Sequence, residues 1–336
     1  KKWVTLTKIS KNSTTTYTVK SLKASTTYKY RIRAYKTIGK ATQYSAYSAT
    51  LSVNTNPTNM SGFKAKSKSY NSITLQWNKN TSATGYELQK WDGKKWVTLT
   101  KISKNSTTTY TVKSLKASTT YKYRIRAYKT IGKATQYSAY SATLSVNTNP
   151  TNMSGFKAKS KSYNSITLQW NKNTSATGYE LQKWDGKKWV TLTKISKNST
   201  TTYTVKSLKA STTYKYKIRA YKTIGKATQY SAYTTTLSVN TNPTNMSGFK
   251  AKAKSYNSIT LQWNKNTSAT GYEIQKWNGK KWVSAAKVTK NSTVTSTVKS
   301  LKANTSYKFR IRAYKTIGKT TQYSSWSGTL TVKTKK

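Results

Sequence analysis

The 336 residues include 62 Lys and Arg against 5 Asp and Glu, with no His and no Cys, for a formal net charge of +57. Five scattered carboxylates without imidazole or thiol assemble neither a nucleophile–base pair nor a metal cage, so catalytic, cofactor and metal sites are expected to be absent. The hydrophobic content of 34% is low, yet 27 Tyr and 11 Trp set the chain apart from aromatic-poor disordered polycations, and no run reaches the ~18 apolar residues of a membrane span.

In chain order, residues 1–56 match 94–149 one for one, from Lys1 against Lys94, and lack a counterpart of 57–93. They read as the C-terminal part of a truncated module, which implies a polypeptide that continues upstream. Asn56-Pro57 then recurs at Asn149-Pro150 and Asn242-Pro243, a step of 93 residues that marks 57–149, 150–242 and 243–336 as full units. The first two are nearly identical, Arg124 answering to Lys217 and Ser141-Ala142 to Thr234-Thr235. The last diverges most, carrying Ser284-Ala285-Ala286 where Thr98-Leu99-Thr100 stands earlier, as a C-terminal cap does.

Within 57–149 the apolar period is two. Phe63/Ala65, Ile73/Leu75/Trp77, Tyr86/Leu88, Val97/Leu99, Tyr110/Val112, Tyr121/Tyr123/Ile125/Ala127 and Leu144/Val146 alternate with polar neighbours, as half-buried strands do. Turns are expected at Asn78–Thr84, Asp92-Gly93, Lys101–Asn105, Leu115–Thr120 and Thr130–Gln136. Seven short strands in such a unit predict an all-β chain of tandem antiparallel sandwiches. The joint Val146–Asn152 has no Gly/Ser run, and Pro150 stiffens it, so the modules are expected to form an extended rod.

Ser72-Ile73-Thr74-Leu75-Gln76-Trp77, Gly85-Tyr86-Glu87-Leu88-Gln89 and Leu115-Lys116-Ala117-Ser118-Thr119-Thr120-Tyr121-Lys122-Tyr123-Arg124-Ile125-Arg126-Ala127-Tyr128 resemble the Ig-like fibronectin type III module. The resemblance implies that Trp77, Trp170 and Trp263 are the core tryptophans of the second strand. It makes Tyr121, Tyr214 and Tyr307 tyrosine-corner residues, with hydroxyls bonding back to main chain near Leu115 and its equivalents. The loop Lys129–Lys133 lacks the Arg-Gly-Asp found in some integrin-binding members. Lys-, Ser- and Thr-rich tandem copies are similar to the repeat arrays of secreted or surface-anchored bacterial proteins, which implies a secreted or cell-surface location.

All seven Arg fall in one strand type, and Glu87, Glu180 and Glu273 hold one equivalent position in its expected neighbour. With Tyr86 and Leu88 inward, Glu87 points outward to pair with Arg124 or Arg126, an exposed pair worth under about 1 kcal/mol. Glu87 has no second carboxylate for acid–base work. Asp92 and Asp185 give way to Asn278 before a glycine, which assigns that position to the turn rather than to charge. Trp91 and Trp96, like Trp184/Trp189 and Trp277/Trp282, flank this hairpin tip; with Lys94 and Lys95 they are either a cross-strand brace or a platform for glycan or polyanion. The 14 Lys and 2 Arg against 2 acids in 57–149 are spread over the whole unit. Such a surface predicts solubility and attraction to polyanions.

These features predict an extracellular adhesive spacer, stalk or filament holding anionic cell-wall or host polysaccharide, or self-associating into fibres. The alternatives are an accessory array attached to an upstream carbohydrate-active enzyme, and a non-specific nucleic-acid binder, since Lys point charges on a helix-free fold suit salt-sensitive contacts better than sequence reading.

Overall fold

A computed structural model describes residues 2–336, all in strands and loops without a helix among them. Contacts divide the chain into two compact units, Lys1–Thr148 and Asn149–Lys336. Residues 2–56 carry β1 (Thr27–Tyr30), β2 (Tyr35–Ile38), β3 (Ala41–Tyr44) and β4 (Leu51–Asn54), paired β1 with β4 and β2 with β3. No sheet faces them. Ile32 is 69% exposed, whereas Ile125, its equivalent in 94–149, is 0% exposed. The stretch Trp3–Ile9, identical in sequence to Trp96–Ile102, joins no sheet because nothing equivalent to residues 85–91 lies beside it.

The unit 57–149 shows the complete arrangement. It comprises β5 (Lys64–Lys68), β6 (Ile73–Gln76), β7 (Gly85–Trp91), β8 (Trp96–Ile102), β9 (Thr109–Val112), β10 (Thr120–Ile131), β11 (Ala134–Tyr137) and β12 (Leu144–Asn147). A three-stranded sheet, β5-β6-β9, packs on a five-stranded one in which β8, β7 and β10 lie side by side and β11 and β12 pair with opposite ends of β10. Every pairing is antiparallel. Alternation sends Ile73, Leu75 and Trp77 from one layer against Tyr86, Leu88, Tyr123, Ile125 and Ala127 from the other, and removing this surface from water is the main force holding the layers together. The same sandwich recurs around Ile166, Leu168, Trp170 and Ile218 and around Ile259, Leu261, Trp263 and Ile311.

Three details depart from the sequence reading. The stretch Thr130–Gln136, expected as a turn, is mostly paired: β10 runs to Ile131, and β11 returns along it from Ala134. The final strand is therefore split, because between its halves the Ser138 and Ser141 hydroxyls accept the Ala127 and Ile125 N–H groups that a ladder carbonyl would otherwise take. Likewise β8 extends through Lys101 and Ile102, held by pairing to Glu87 and Tyr86. Finally, Val97, expected inward, is 40% exposed: it pairs with Lys90, one step from the Trp91–Trp96 tip, and beyond it the extra residue Leu99 opposite Leu88/Gln89 breaks the alternation of β8.

The tyrosine corner closes each sandwich. The Tyr121 hydroxyl accepts the Lys116 N–H at 2.8 Å, and Tyr214 and Tyr307 accept from Lys209 and Lys302 at the same distance. Trp77 stands edge-on to Tyr86 with centroids 5.4 Å apart. The Tyr86 hydroxyl is satisfied twice, donating to Asn105 O at 2.8 Å and accepting from Asn80 N at 2.9 Å.

Tyr123 and Tyr216 differ, because their buried hydroxyls have no hydrogen-bond partner. Burial pushes both hydroxyl pKa values up, and Phe309 occupies the third equivalent position. An orphaned buried hydroxyl is destabilising. Tyr123→Phe should therefore leave the fold intact and raise stability by about 1 kcal/mol, read as a shift of the urea midpoint at unchanged slope; a loss of stability would show that the hydroxyl has a partner in solution.

Candidate functional site

The outer face of the five-stranded sheet is set by the pairing of Arg126 with Glu87 and of Arg124 with Gln89 across β10 and β7. Strand alternation that sends Tyr123, Ile125 and Ala127 to the core sends both arginines outward. There the Arg126 guanidinium contacts Glu87 at 2.9 Å, while Arg124 Nε donates to Gln89 Oε1 at 2.9 Å. Of the two expected pairs, Glu87–Arg126 forms and Glu87–Arg124 does not.

Glu87 was expected to be exposed, and this is corrected: it is only 3% exposed. Its parity is outward, but the outer face is roofed. The segment after β11 turns Tyr140 back over the sheet, where its hydroxyl donates to Glu87 Oε1 at 2.6 Å. Gln89 Nε2 donates to the same oxygen at 3.1 Å, and Lys101 Nζ stands 3.9 Å from Oε2. Burial alone would raise the Glu87 pKa, but the Tyr140 hydroxyl, Arg126 and Lys101 outweigh it and hold the carboxyl below its usual range. Burial, with the bond to Glu87, pushes the Tyr140 hydroxyl up to about 12.

Rings and cations alternate along this roof. Arg124 lies between Trp96 (4.5 Å) and Tyr140 (3.9 Å), and Arg126 between Tyr140 (4.5 Å) and Tyr137 (3.8 Å). Each guanidinium therefore meets two π faces, an arrangement attractive at every step. In 150–242 Lys217 replaces the first arginine between Trp189 and Tyr233, and the Tyr233 hydroxyl donates to Glu180. In 243–336 the order is Trp282, Arg310, Trp326, Arg312, Tyr323. Trp326 has no hydroxyl to offer Glu273, whose side chain is 20% exposed against 4% for Glu87. Even residues 2–56 keep the stack, with Arg31 on Trp3 and Tyr47 and Arg33 on Tyr44 and Tyr47.

Sequence reasoning missed Tyr137, Ser138, Tyr140 and Ser141. Their signal was present as an aromatic-Ser-x-aromatic-Ser/Thr run at 44–48, 137–141, 230–234 and 323–327. Its three-residue aromatic spacing does not fit the strand period of two.

At the hairpin tip Trp91 pairs with Trp96 across the strands, centroids 5.5 Å apart and planes at 65°. Trp184/Trp189 and Trp277/Trp282 repeat this within 0.1 Å. The cation over Trp96 is Arg124, while Lys94 and Lys95 are exposed on the tip. Asp92 Oδ1 accepts the Lys94 and Lys95 N–H groups at 2.8 Å each, and these donors hold its carboxyl below the usual range. Asn278 makes the same two bonds at 3.0 and 2.9 Å. Beside the tip, Lys90 Nζ lies 5.8 Å from the Tyr121 ring centre. Among the described residues no group of three or more acidic side chains gathers as a metal would require, and no helix is long and apolar enough to cross a membrane.

Comparison with known proteins agrees with this architecture. The fibronectin type III domain family matches residues 55–143, 148–237 and 241–329. Exoglucanase B of Cellulomonas fimi is 31% identical over 278 residues, 79% of this chain and 24% of that protein. Chitinase A1 of Niallia circulans is 31% identical over 186 residues, 51% of this chain and 24% of that protein. The chain thus spans about a quarter of the length of these relatives. Among solved structures, the FN1–FN3 domains of chicken CNTN1 are 19% identical, with a TM-score of 0.33 over 84% of this chain and 100% of that one. A two-domain segment of chicken tenascin is also 19% identical, with a TM-score of 0.36 over 55% and 99%.

Proposed function

The chain belongs to the fibronectin type III family, and on that premise we propose that it is an extracellular, non-catalytic spacer whose lysine surface holds anionic polymers. One observation carries the reading. Every acid is engaged at close range: Glu87, Glu180 and Glu273 lie against arginine, and Asp92 and Asp185 are capped by backbone N–H groups. The exposed lysines therefore face solvent almost without counter-charge. A cationic field of this kind attracts flexible polyanions without needing a shaped pocket.

Passage of the full chain over immobilised heparin is the direct test. Retention is expected at low ionic strength, with elution by roughly 0.5 M salt, since screening shortens the reach of each lysine to a few ångströms. DNA is expected to compete without sequence preference. Flow-through at low salt would refute the reading.

A second reading is favoured by the two bacterial relatives, whose names are those of polysaccharide-cleaving enzymes. In it the array is an accessory to a catalytic domain, touching neutral polysaccharide through Trp91/Trp96 and their equivalents. Binding to cellulose or chitin that survives high salt would favour this second reading.

A further inference from the structure

We propose that the cleft between the last hairpin tip, Lys276–Gly279, and the strand start at Ser306–Lys308 is a subsite for a pyranose ring bearing a carboxylate, the repeating residue of a uronic-acid polysaccharide. This rests on the polyanion reading above and adds to it a place and a ligand class. The cleft holds about 430 Å³ and is lined by Lys276, Trp277, Asn278, Gly279, Ser306, Tyr307 and Lys308.

Its two walls are held by pairing. Lys276 lies opposite Phe309 across the sheet, so Trp277 and Lys308 stand at one edge. Trp277 meets Trp282 edge to face, at 65°; in that geometry each indole keeps at least one face that its partner does not cover. The Tyr307 ring is fixed by the Lys302 N–H on its hydroxyl and carries Lys276 Nζ 5.5 Å from its centre. The cleft is thus lined by aromatic carbon, two lysines, Asn278 and Ser306.

The combination selects a ligand. Aromatic rings bind the C–H face of a pyranose, which polyphosphate and linear polyacids lack. Lysines beside the ring reward a charge fixed at the ring's rim, which neutral glucans lack. The same frame exists at Lys90/Trp91/Tyr121/Lys122 and Lys183/Trp184/Tyr214/Lys215, with Lys–Tyr distances of 5.8 and 5.6 Å. Those copies carry Asp92 and Asp185 at the tip, whereas the last carries Asn278. The nearest acid of the last copy, Glu273, is already held by Arg312 at 2.7 Å. The last copy is therefore the preferred site, and the tip residue tunes it without altering the hairpin, since Asp and Asn make the same two backbone bonds.

The test is a titration of the full 15N-labelled chain with tetragalacturonic acid at low salt, followed at the indole N–H signals, with that of Trp277 assigned through Trp277→Phe. Saturable shifts at Trp277 and at the Lys308 amide are expected. Asn278→Asp should weaken binding about threefold, the effect of one like charge at close range in water, and Asp185→Asn should strengthen the middle copy by a similar factor. Lys308→Gln leaves the indole brace in place and should reduce the Trp277 shift, while Trp277→Ala should reduce the shift at the Lys308 amide. Equal shifts with cellotetraose, or tip substitutions without effect, would overturn the subsite. A chain retained on heparin whose Trp277 signal stays still would also overturn it, and would leave the general polyanion reading standing. Failure of retention itself would remove both.

Discussion

Glu87→Ala is expected to destabilise the module at 57–149 by about 2–4 kcal/mol. Stranding one member of a buried ion pair commonly costs about 3–5 kcal/mol. The lower figure applies because the Arg126 side chain is 25% exposed and water can rehydrate it in part. The Tyr140 hydroxyl and the Gln89 amide lose an acceptor at the same time, each a further cost where water does not replace it. Hydrogen exchange on the full chain reads the effect, because the altered peptide is distinguishable by mass from its near-identical repeats. Protection should fall in the β7 peptide that carries residue 87, and not in its counterparts around Glu180 and Glu273. Glu273→Ala should cost less, since its side chain is 20% exposed and Trp326 gives it no hydroxyl bond. The sign with pH follows from the lowered Glu87 pKa. The stabilisation is complete above the carboxyl's unfolded-state pKa and is lost as pH falls through the lower folded-state value. Glu87→Gln should flatten this acid limb; unchanged protection in Glu87→Ala would mean that the roof does not hold the sheet.

The contrast between Ile125 and Glu87 shows which features the sequence carries openly. Ile125, Leu88, Trp77 and Tyr121 lie where alternation and the family resemblance place them, because strand period dictates facing and a sandwich has one inner side. Glu87 is also on the face that alternation predicts, yet it is buried. Period two distinguishes inner from outer, but it does not say what folds over the outer side. That depends on Tyr140, 53 residues away, in a segment whose backbone is held by serine hydroxyls instead of a ladder. The misplaced turn at Thr130–Gln136 has a similar origin: polar residues and Gly132 look like loop, whereas only the two residues between Ile131 and Ala134 turn the chain. Val97 fails for a third reason: it pairs with Lys90, one step from the Trp91–Trp96 tip, and the extra residue Leu99 separates its parity from that of the rest of β8. The hairpin-tip tryptophans were legible as a pair, because an Asp-Gly or Asn-Gly tip fixes which residues stand opposite.

Gly85→Ala should destabilise its module by about 3 kcal/mol or more, for a reason that backbone torsion does not supply. A Cβ at Gly85 would lie 1.9 Å from Ile102 O and 2.8 Å from the Tyr128 hydroxyl. The obstacle is main chain in the neighbouring strand, so a rotamer change does not relieve it, and overpacking of this kind ranks with the severe core substitutions. Gly178 and Gly271 face the same approach, at 1.9 and 2.0 Å from Ile195 O and Val288 O. Gly132→Ala is the informative control. Gly132 turns β10 into β11 at φ +59 with nothing within 4 Å, so alanine there should cost only about 1 kcal/mol of left-handed strain. The two glycines also differ in what they disturb. Tyr86 pairs with Ile102 and Glu87 with Lys101, so pushing β8 away at Gly85 moves Lys101 from Glu87 and shifts the strand that carries Trp96. Gly85→Ala should therefore lower exchange protection across 96–102 and bring the Glu87 carboxyl, followed by 13C shift, back toward its ordinary pKa, while Gly132→Ala should leave both as they are. Equal small losses in the two variants would show that β8 yields freely, and that the arginine–aromatic roof does not depend on this close approach.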